Sequence, residues 1–298
     1  MTTMTSSSMS FVLDEIVTGL AVNAFYRSPF MLPLLFNVRG SSRRRERFAS
    51  VSGLNRWAVK NPTAAASPDN LIQQFEKDFV HTAYGQEIAV EREFIDDQEF
   101  GILEKIGDQI GYNGGRTMEL DAVAVWDDFT AGATHKAEDG LSVCNNAHLN
   151  VDGANSQDNL GGNSLDTDGL NATRVAMRGF KDYRGNLAPS IMRLIVVPTA
   201  LQTRAQQLAR SEKNPDNAQN TANVFQGLEY VVWDLLSSTS EWFGIDPGLM
   251  MSNLLWLQRI GIEIYGSGDL FTGTRKIGGY TRYSRGVLDW RFVYGNAP

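Results

Sequence analysis

The chain has 298 residues, of which 42% are hydrophobic, so it can bury at least one substantial core. Its 27 basic and 34 acidic side chains give a net charge of −7, which argues against a protein whose main function is the tight binding of phosphate groups. One cysteine excludes an internal disulfide, no apolar run approaches the length of a membrane span, and the N-terminus lacks a signal-peptide layout. We expect a soluble protein made in a cytoplasm.

The first third of the chain contains an apolar start and a long polar excursion. Apolar residues at 11–20 predict a short amphipathic helix, and Pro29 and Pro33 bracket an apolar run that should be extended or a tethered arm. Residues 39–93 begin with an arginine run, pass through turn signals at 61–62 and 67–69, and return along a two-faced strand at 87–93. An excursion of this length is usually functional or bound to a partner.

A helix is predicted to start at the acidic residues 96–99 and to run to about 131. The glycine cluster at 111–115 conflicts with it, because each interior glycine costs about 1 kcal/mol relative to alanine. Propensity alone favours two helices.

The rest of the chain predicts a layered α and β arrangement. A polar loop covers 137–169, a helix covers 166–182 with Leu170, Val175, Met177 and Phe180 inward, and a buried strand at 193–197 leads into a helix that begins after Pro198. That helix buries a stripe formed by Leu201, Ala205, Leu208 and Ala209. Strands are expected at 231–236 and 261–265, and a strand pair at 275–293 with a tight turn near Arg285 and Gly286.

No motif for catalysis, metal binding or cofactor binding survives comparison with a simpler explanation. Cys144 and His148 could form a nucleophile pair, but a small buried cysteine is far commoner. Asp152, Asp158, Asp166 and Asp168 lack the order of a calcium loop, so Asp166 or Asp168 should cap the next helix. The glycine clusters at 111–115 and 161–164 lack the ending of a phosphate loop and predict turns or packing glycines.

The arginine run has two interpretations besides a solvated charge cluster. Arg43, Arg44, Arg45 and Arg47 could contact nucleic acid or an acidic face of another subunit. Acidic residues close in sequence supply the opposite charge: Glu76, Asp78, Glu87, Glu91 and Glu93. We therefore favour pairing between subunits over nucleic-acid binding.

Six segments, in this order and spacing over residues 80–298, resemble the Mu-like prophage major head subunit family, a branch of the Hong Kong 97-type phage capsid proteins. They are 84–93 (YGQEIAVERE), 146–149 (NAHL), 181–186 (KDYRGN), 193–198 (RLIVVP) with the helix after it, 231–233 (VVW) and 289–295 (DWRFVYG). The first forty residues resemble little in detail.

The resemblance implies an α+β fold of the Hong Kong 97 type. It also implies one continuous spine helix over residues 96–131, which we expect to be bent or thinned at the glycine cluster. It divides the chain into an N-terminal arm (1–38), an extended loop that lies across a neighbouring subunit (39–93), a peripheral domain with a long spine helix (94–136), an axial domain (137–262) and C-terminal strands of the peripheral domain (263–298). Some relatives join subunits by a Lys–Asn isopeptide bond. Lys60 and Lys77 lie in the right region, but without a recognisable catalytic carboxylate we expect ordinary solvated lysines.

The implied function is that of a major capsid protein of a tailed double-stranded DNA phage or prophage, not an enzyme, with no cofactor or metal. Hexamers and pentamers would form an icosahedral shell in the bacterial host cytoplasm. A separate scaffolding protein, a portal, possible decoration proteins and weakly held, non-specifically bound DNA would be partners. An encapsulin-like compartment and, more distantly, a soluble α/β enzyme are alternatives. The expected inter-subunit contacts are Phe11, Leu13, Ile16, Phe30, Phe36, Arg43, Arg44, Arg45, Arg47, Trp57, Glu76 and Glu87.

Overall fold

The computed structural model describes residues 6–27, 31–63, 65–91, 93, 100–149, 156–217, 219, 221–268 and 274–298, with the backbone alone at 6–16 and 100–103. The helices are α1 (Ser6–Arg27), α2 (Leu32–Leu35), α3 (Phe100–Ala131), α4 (Thr167–Arg178), α5 (Gln202–Arg210) and α6 (Pro247–Asn253). The strands are β1 (Asn37–Gly40), β2 (Arg45–Val51), β3 (Gln73–Val80), β4 (Thr82–Val90), β5 (Leu160–Gly161), β6 (Leu194–Val197), β7 (Glu229–Val232), β8 (Trp242–Ile245), β9 (Leu254–Gly268), β10 (Arg275–Val287) and β11 (Val293–Asn296).

The strands form two sheets and a separate hairpin. One sheet has the order β1-β9-β10-β4, the other has the order β5-β11-β8-β6-β7, and β2 pairs only with β3. The four-stranded sheet is built on the long antiparallel pair β9 and β10. Arg285 and Gly286 lie inside β10, opposite Trp256 and Leu255, so the turn predicted there is wrong. The connection between the two strands falls at 269–273, outside the described residues.

The five-stranded sheet contains the strand predicted at 193–197, and the predicted helix follows that strand in the chain. All four residues of β6 are buried, and Ala205, Leu208 and Ala209 of α5 are fully buried, which confirms three members of the predicted stripe. Leu201, the fourth, is half-buried in a single 3-10 turn just before α5. β11 also joins this sheet, between β5 and β8. The last strand of the chain therefore lies in a different sheet from β9 and β10, with β8 as its antiparallel neighbour.

The spine helix α3 runs unbroken through the glycine cluster, as one helix of 32 residues. Its glycines allow α1 to lie directly on it. A Cβ atom at Gly107 would lie 2.9 Å from the carbonyl oxygen of Val17, and one at Gly111 would lie 1.9 Å from that of Ala21. These glycines are therefore packing residues, and the close contact with α1 compensates for their low helix propensity. The predicted start of the helix at 96–99 lies outside the described residues.

The two sheets share one hydrophobic core, which the second half of α3 connects. Trp126 contacts both Trp233 and Phe243, with ring centroids 6.3 and 5.6 Å apart, and Phe129 packs 6.1 Å from Phe292. The contacts of α3 with both layers unite the two sheets in one packed body. The β2–β3 hairpin packs on this body through Phe79, which contacts Leu255 and Leu257, while the segment between its strands is largely exposed.

The helix after the polar loop follows its prediction with one exception. The side chain of Asp166 accepts a hydrogen bond from the backbone of Gly169 and caps α4, as expected. Leu170, Met177 and Phe180 are buried, but Val175 is 62% exposed, so its predicted inward position is wrong. Val175 lies on the outer face of α4, where the helix meets no other layer.

Candidate assembly interface

The hairpin of β2 and β3 presents the largest group of exposed apolar side chains in the described residues. Between the two strands, residues 52–72 contain no helix or strand among the described positions. Trp57 is 91% exposed and Val59 is 97% exposed. We call residues 51–72 the hairpin tip. Its other exposed apolar residues are Val51, Leu54, Leu71 and Ile72. Such a concentration on a projecting segment is typical of a surface that another molecule covers.

Sequence reasoning selected Trp57 and missed the rest of this tip. The available signal was the recurrence of Val51, Leu54, Trp57 and Val59 in a stretch rich in serine, asparagine and proline. These residues do not follow the spacing of an amphipathic helix or strand, so the sequence predicts no element whose apolar face would bury them within the chain. An apolar residue without such a pattern is a candidate for burial against another subunit.

The arginines of the hairpin pair with acids of the same hairpin. Arg47 contacts Asp78 at 2.8 Å and Glu76 at 3.2 Å, and Arg45 contacts Asp78 at 3.3 Å. The hydrogen bond from Arg47 lowers the pKa of Asp78. These predicted interface residues are therefore already matched in charge across β2 and β3. The pairs are exposed, and exposed pairs contribute little to stability.

The other predicted charged contacts have different surroundings. Arg43 approaches Glu46 at 3.9 Å, and Glu87 of β4 pairs with Lys276 of the neighbouring strand β10 at 3.3 Å. Arg44 is exposed. Arg43 and Arg44 stand where the chain enters the hairpin, so they remain candidates for contact with another subunit.

The predicted apolar arm lies largely on its own chain. Phe36 is 1% exposed and packs edge to face against Trp256, so its assignment to an interface is wrong. α1 and α2 cover α3 and the four-stranded sheet instead of extending away, because their apolar residues find that surface within reach. The side chains of Phe11, Leu13 and Ile16, and all of Phe30, lie outside what the structure describes.

Charged side chains meet beneath the root of the hairpin. Lys77 of β3 donates a hydrogen bond to the carbonyl of Val287 at 2.6 Å and another to that of Lys136. Burial lowers the pKa of Lys77 to about 8, so this lysine is not the solvated side chain that the sequence predicts. Burial, together with a smaller effect of the nearby Asp289 carboxylate, raises the pKa of Glu138 to about 7.

Replacing Glu138 by glutamine should change how stability depends on pH. Because the folded-state pKa lies above the ordinary value of 4.5, this carboxyl lowers the stability of the parent as pH rises from about 4.5 to about 7. Glu138→Gln should remove that loss, which is about 3 kcal/mol at most. Urea unfolding at pH 4.5 and pH 7.5 measures it, with the exposed Glu229→Gln as control. A Glu138→Gln effect that is equal at both pH values would contradict the expectation.

Cys144 and His148 do not form a catalytic pair. Cys144 is fully buried, and burial raises the pKa of its thiol. The ring of His148 stacks on Trp290 at 4.2 Å, with Nδ1 2.5 Å from Asp139 and Nε2 3.1 Å from Asn159. Each ring nitrogen of His148 is thus occupied by a partner other than the thiol, which supports the structural interpretation of both residues.

The thiol of Cys144 should be unreactive in the folded protein. We expect no labelling by a disulfide reagent at pH 8 under native conditions and one equivalent after unfolding in guanidinium, since a buried thiol with a raised pKa supplies almost no accessible thiolate. Absorbance of the released thiol measures both states. Rapid native labelling would show that the five-stranded sheet opens around this residue.

The described part of the chain contains no group of three or more histidine, cysteine or acidic residues placed to hold a metal ion. None of its helices combines the length and the apolar character needed to cross a bilayer. Asp158 accepts a hydrogen bond from the backbone of Leu160 and Asp166 caps α4, whereas Asp152 lies outside the described residues.

Known structures with a similar fold are phage capsids. The mature capsid of bacteriophage PhiM1 matches with a TM-score of 0.58 and 12% identity, over 90% of this chain and 88% of that one. The capsid of cyanophage P-SCSP1u matches at 0.55 and 11%, over 87% and 85%, and the procapsid of bacteriophage JBD30 at 0.54 and 13%, over 99% and 76%. They confirm the predicted α+β fold of the Hong Kong 97 type.

Sequence comparison gives the same assignment. No curated protein sequence matches the chain. The family model described as phage capsid protein matches residues 76–296, which is most of the chain. That family is structural, in agreement with the prediction that the protein is not an enzyme. The chain therefore belongs to the phage capsid protein family.

Proposed function

We propose that this chain is the major head subunit of a Mu-like phage or prophage and that the hairpin tip is its principal contact with a neighbouring subunit. The observation that carries the proposal is the exposure of Trp57 and Val59 on a hairpin that projects from an otherwise packed body. Every other tryptophan of the chain is buried, and all of them lie in one core. Only a second molecule can cover the tip to a similar extent.

The chemistry of the tip favours another copy of the same chain as this second molecule. The tip is apolar, and the arginines at its base are already paired with acids of the same hairpin. A surface of that kind gains most from removing apolar area from water, at about 25 cal/mol per Å². Repetition of one such contact around hexamers and pentamers would close an icosahedral shell through many moderate interactions.

The remaining partners follow from the resemblance and from charge. A net charge of −7 suits a container that holds double-stranded DNA weakly and without sequence preference, because tight binding requires neutralised phosphates. Assembly in the bacterial cytoplasm with a separate scaffolding protein and a portal, and possible decoration of the finished shell, belong to the same proposal.

Electron microscopy and sedimentation of the purified chain test the proposal. We expect capsomers and closed shells or related polymers in a concentration-dependent equilibrium, with and without co-expression of a scaffold from the same phage. Because assembly is driven by burial of apolar area, it should persist at high salt, where surface charge pairs are screened. A chain that stays monomeric at millimolar concentration under all these conditions would contradict the proposed function.

A further inference from the structure

One arginine of the packed body joins the two sides of the hairpin tip. Arg184 Nε lies 3.4 Å from the hydroxyl of Ser52, just after β2. Its two terminal nitrogens donate to the carboxylate of Asp69, at 3.0 Å, and to the carbonyl of Asn70, both just before β3. Arg184 is 16% exposed and Asp69 31% exposed at their side chains. A guanidinium is suited to this geometry, because its donors lie in one rigid fork.

The loop that carries Arg184 is itself fixed. Asp182 accepts hydrogen bonds from the backbone of Arg184 at 2.8 Å and of Asn186 at 2.9 Å, and Gly185 provides the left-handed turn between them with φ of +84°. Asp182 also lies so close to the hairpin that a Cβ at Gly53 would be 2.6 Å from its Oδ2. The loop therefore behaves as a rigid support for the guanidinium.

Tyr183, the residue before Arg184, makes a second contact between this loop and the hairpin. The ring of Tyr183 packs 6.0 Å from Phe75 of β3, and its hydroxyl donates to Glu138. The guanidinium of Arg291 lies over the same ring, 4.2 Å from its centroid. We name the contact between residues 182–184 and the hairpin the clasp.

Away from the clasp, the root of the hairpin packs on the four-stranded sheet, where Phe79 of β3 clusters with Leu255 and Leu257 and Lys77 donates to the carbonyl of Val287. The two chain connections to that sheet lie at the same end of the hairpin. Residues 41–44 lead from β1 to β2, and His81 alone separates β3 from β4. His81 is buried, with its ring nitrogens 3.0 Å from the hydroxyls of Ser41 and Ser284. This pivot fixes where the hairpin starts, but it lies at the opposite end of β2 and β3 from the apolar tip. Residues 52–72 extend beyond these root contacts, and among the described contacts the clasp is the one that holds that end of the hairpin.

We propose that Arg184 is a positioning residue that holds the hairpin in one direction before subunits meet, so that the tip is presented ready to bind. The inference rests on the proposed function, in which the tip contacts a neighbouring subunit. A tip that is already ordered loses less conformational freedom on binding, and the apparent affinity falls in proportion to the fraction of molecules in the competent state.

Distances between spin labels in unassembled subunits test the clasp directly. Cys144 is buried, so labels can be placed at exposed positions on the tip and on α5 through Ser67→Cys and Gln206→Cys. We expect one narrow distance distribution in the parent and a broad one in Arg184→Ala, with an unchanged melting temperature. Asp69→Asn, which alters the hairpin side of the clasp, should broaden it as well. Arg178→Ala, at the exposed end of α4, is the matched control and should leave the distribution narrow.

Assembly provides a second and separate measurement. If the competent fraction falls to about a tenth, the critical concentration for assembly should rise about tenfold in Arg184→Ala. A narrow, parent-like distance distribution in Arg184→Ala would overturn the inference, whatever the assembly result. Should Arg184→Ala not fold, a parent-like distribution in Asp69→Asn would overturn it equally. If Arg184→Ala and Asp69→Asn give broad distance distributions but the parent chain never assembles, the role of the clasp is retained and only the proposed function is contradicted.

Discussion

A double replacement of Trp57 and Val59 by serine is expected to abolish assembly at concentrations where the parent forms particles. Both side chains are more than nine-tenths exposed in the single chain, so they contribute almost nothing to its own core. At an interface, truncating a buried aromatic anchor costs about 2 kcal/mol or more, and the valine adds to that loss. Each 1.4 kcal/mol is a factor of ten in affinity, so the critical concentration should rise by about 100-fold or more.

Light scattering over a concentration series measures this effect, and circular dichroism of dilute subunits checks the fold. The melting temperature of the unassembled double variant should equal that of the parent. Ala58→Ser is the matched control, because this exposed residue lies between the two and the substitution leaves the large apolar side chains in place. A double variant that assembles at the parent's concentration would remove the hairpin tip from the interface.

Features that depend on neighbours in sequence could be predicted well. The buried strand β6 and the stripe of α5 follow from local composition and the helical period, and the cap at Asp166 follows from side-chain chemistry within three residues. Burial of Cys144 was expected from the ordinary behaviour of a lone cysteine, which packs as a small apolar residue. In each case the deciding interaction lies within one turn or one strand.

Features that depend on distant partners could not be predicted in this way. β11 pairs with β8 rather than continuing the four-stranded sheet, and nothing in residues 293–296 distinguishes the two edges. The arginine run illustrates the same limit for the interface. Strand register places Arg47 opposite Asp78, so their charges cancel within one hairpin, whereas sequence alone is equally compatible with cancellation between subunits.

The glycines of α3 lead to the second large expected effect. Gly111→Ala should destabilise the protein by about 2 kcal/mol or more, although alanine is the better helix former, because overpacking against a fixed backbone is costly. The new Cβ would lie 1.9 Å from the carbonyl oxygen of Ala21, and a backbone atom cannot rotate away as a side chain can. α1 would have to move off the spine helix. Thermal unfolding should show a fall of about 4 °C or more in the melting temperature.

Gly114→Ala, three residues further along the same helix, separates this steric effect from a general sensitivity of the spine. Its Cβ would lie 3.4 Å from side-chain atoms of Ile262 and Phe25, which is ordinary contact, so the gain in helix propensity of up to about 1 kcal/mol should remain. The two substitutions are therefore expected to shift stability in opposite directions. Equal shifts of the same sign would mean that α1 does not rest on Gly111. The glycine cluster would then only weaken the helix and would not be the surface on which α1 packs.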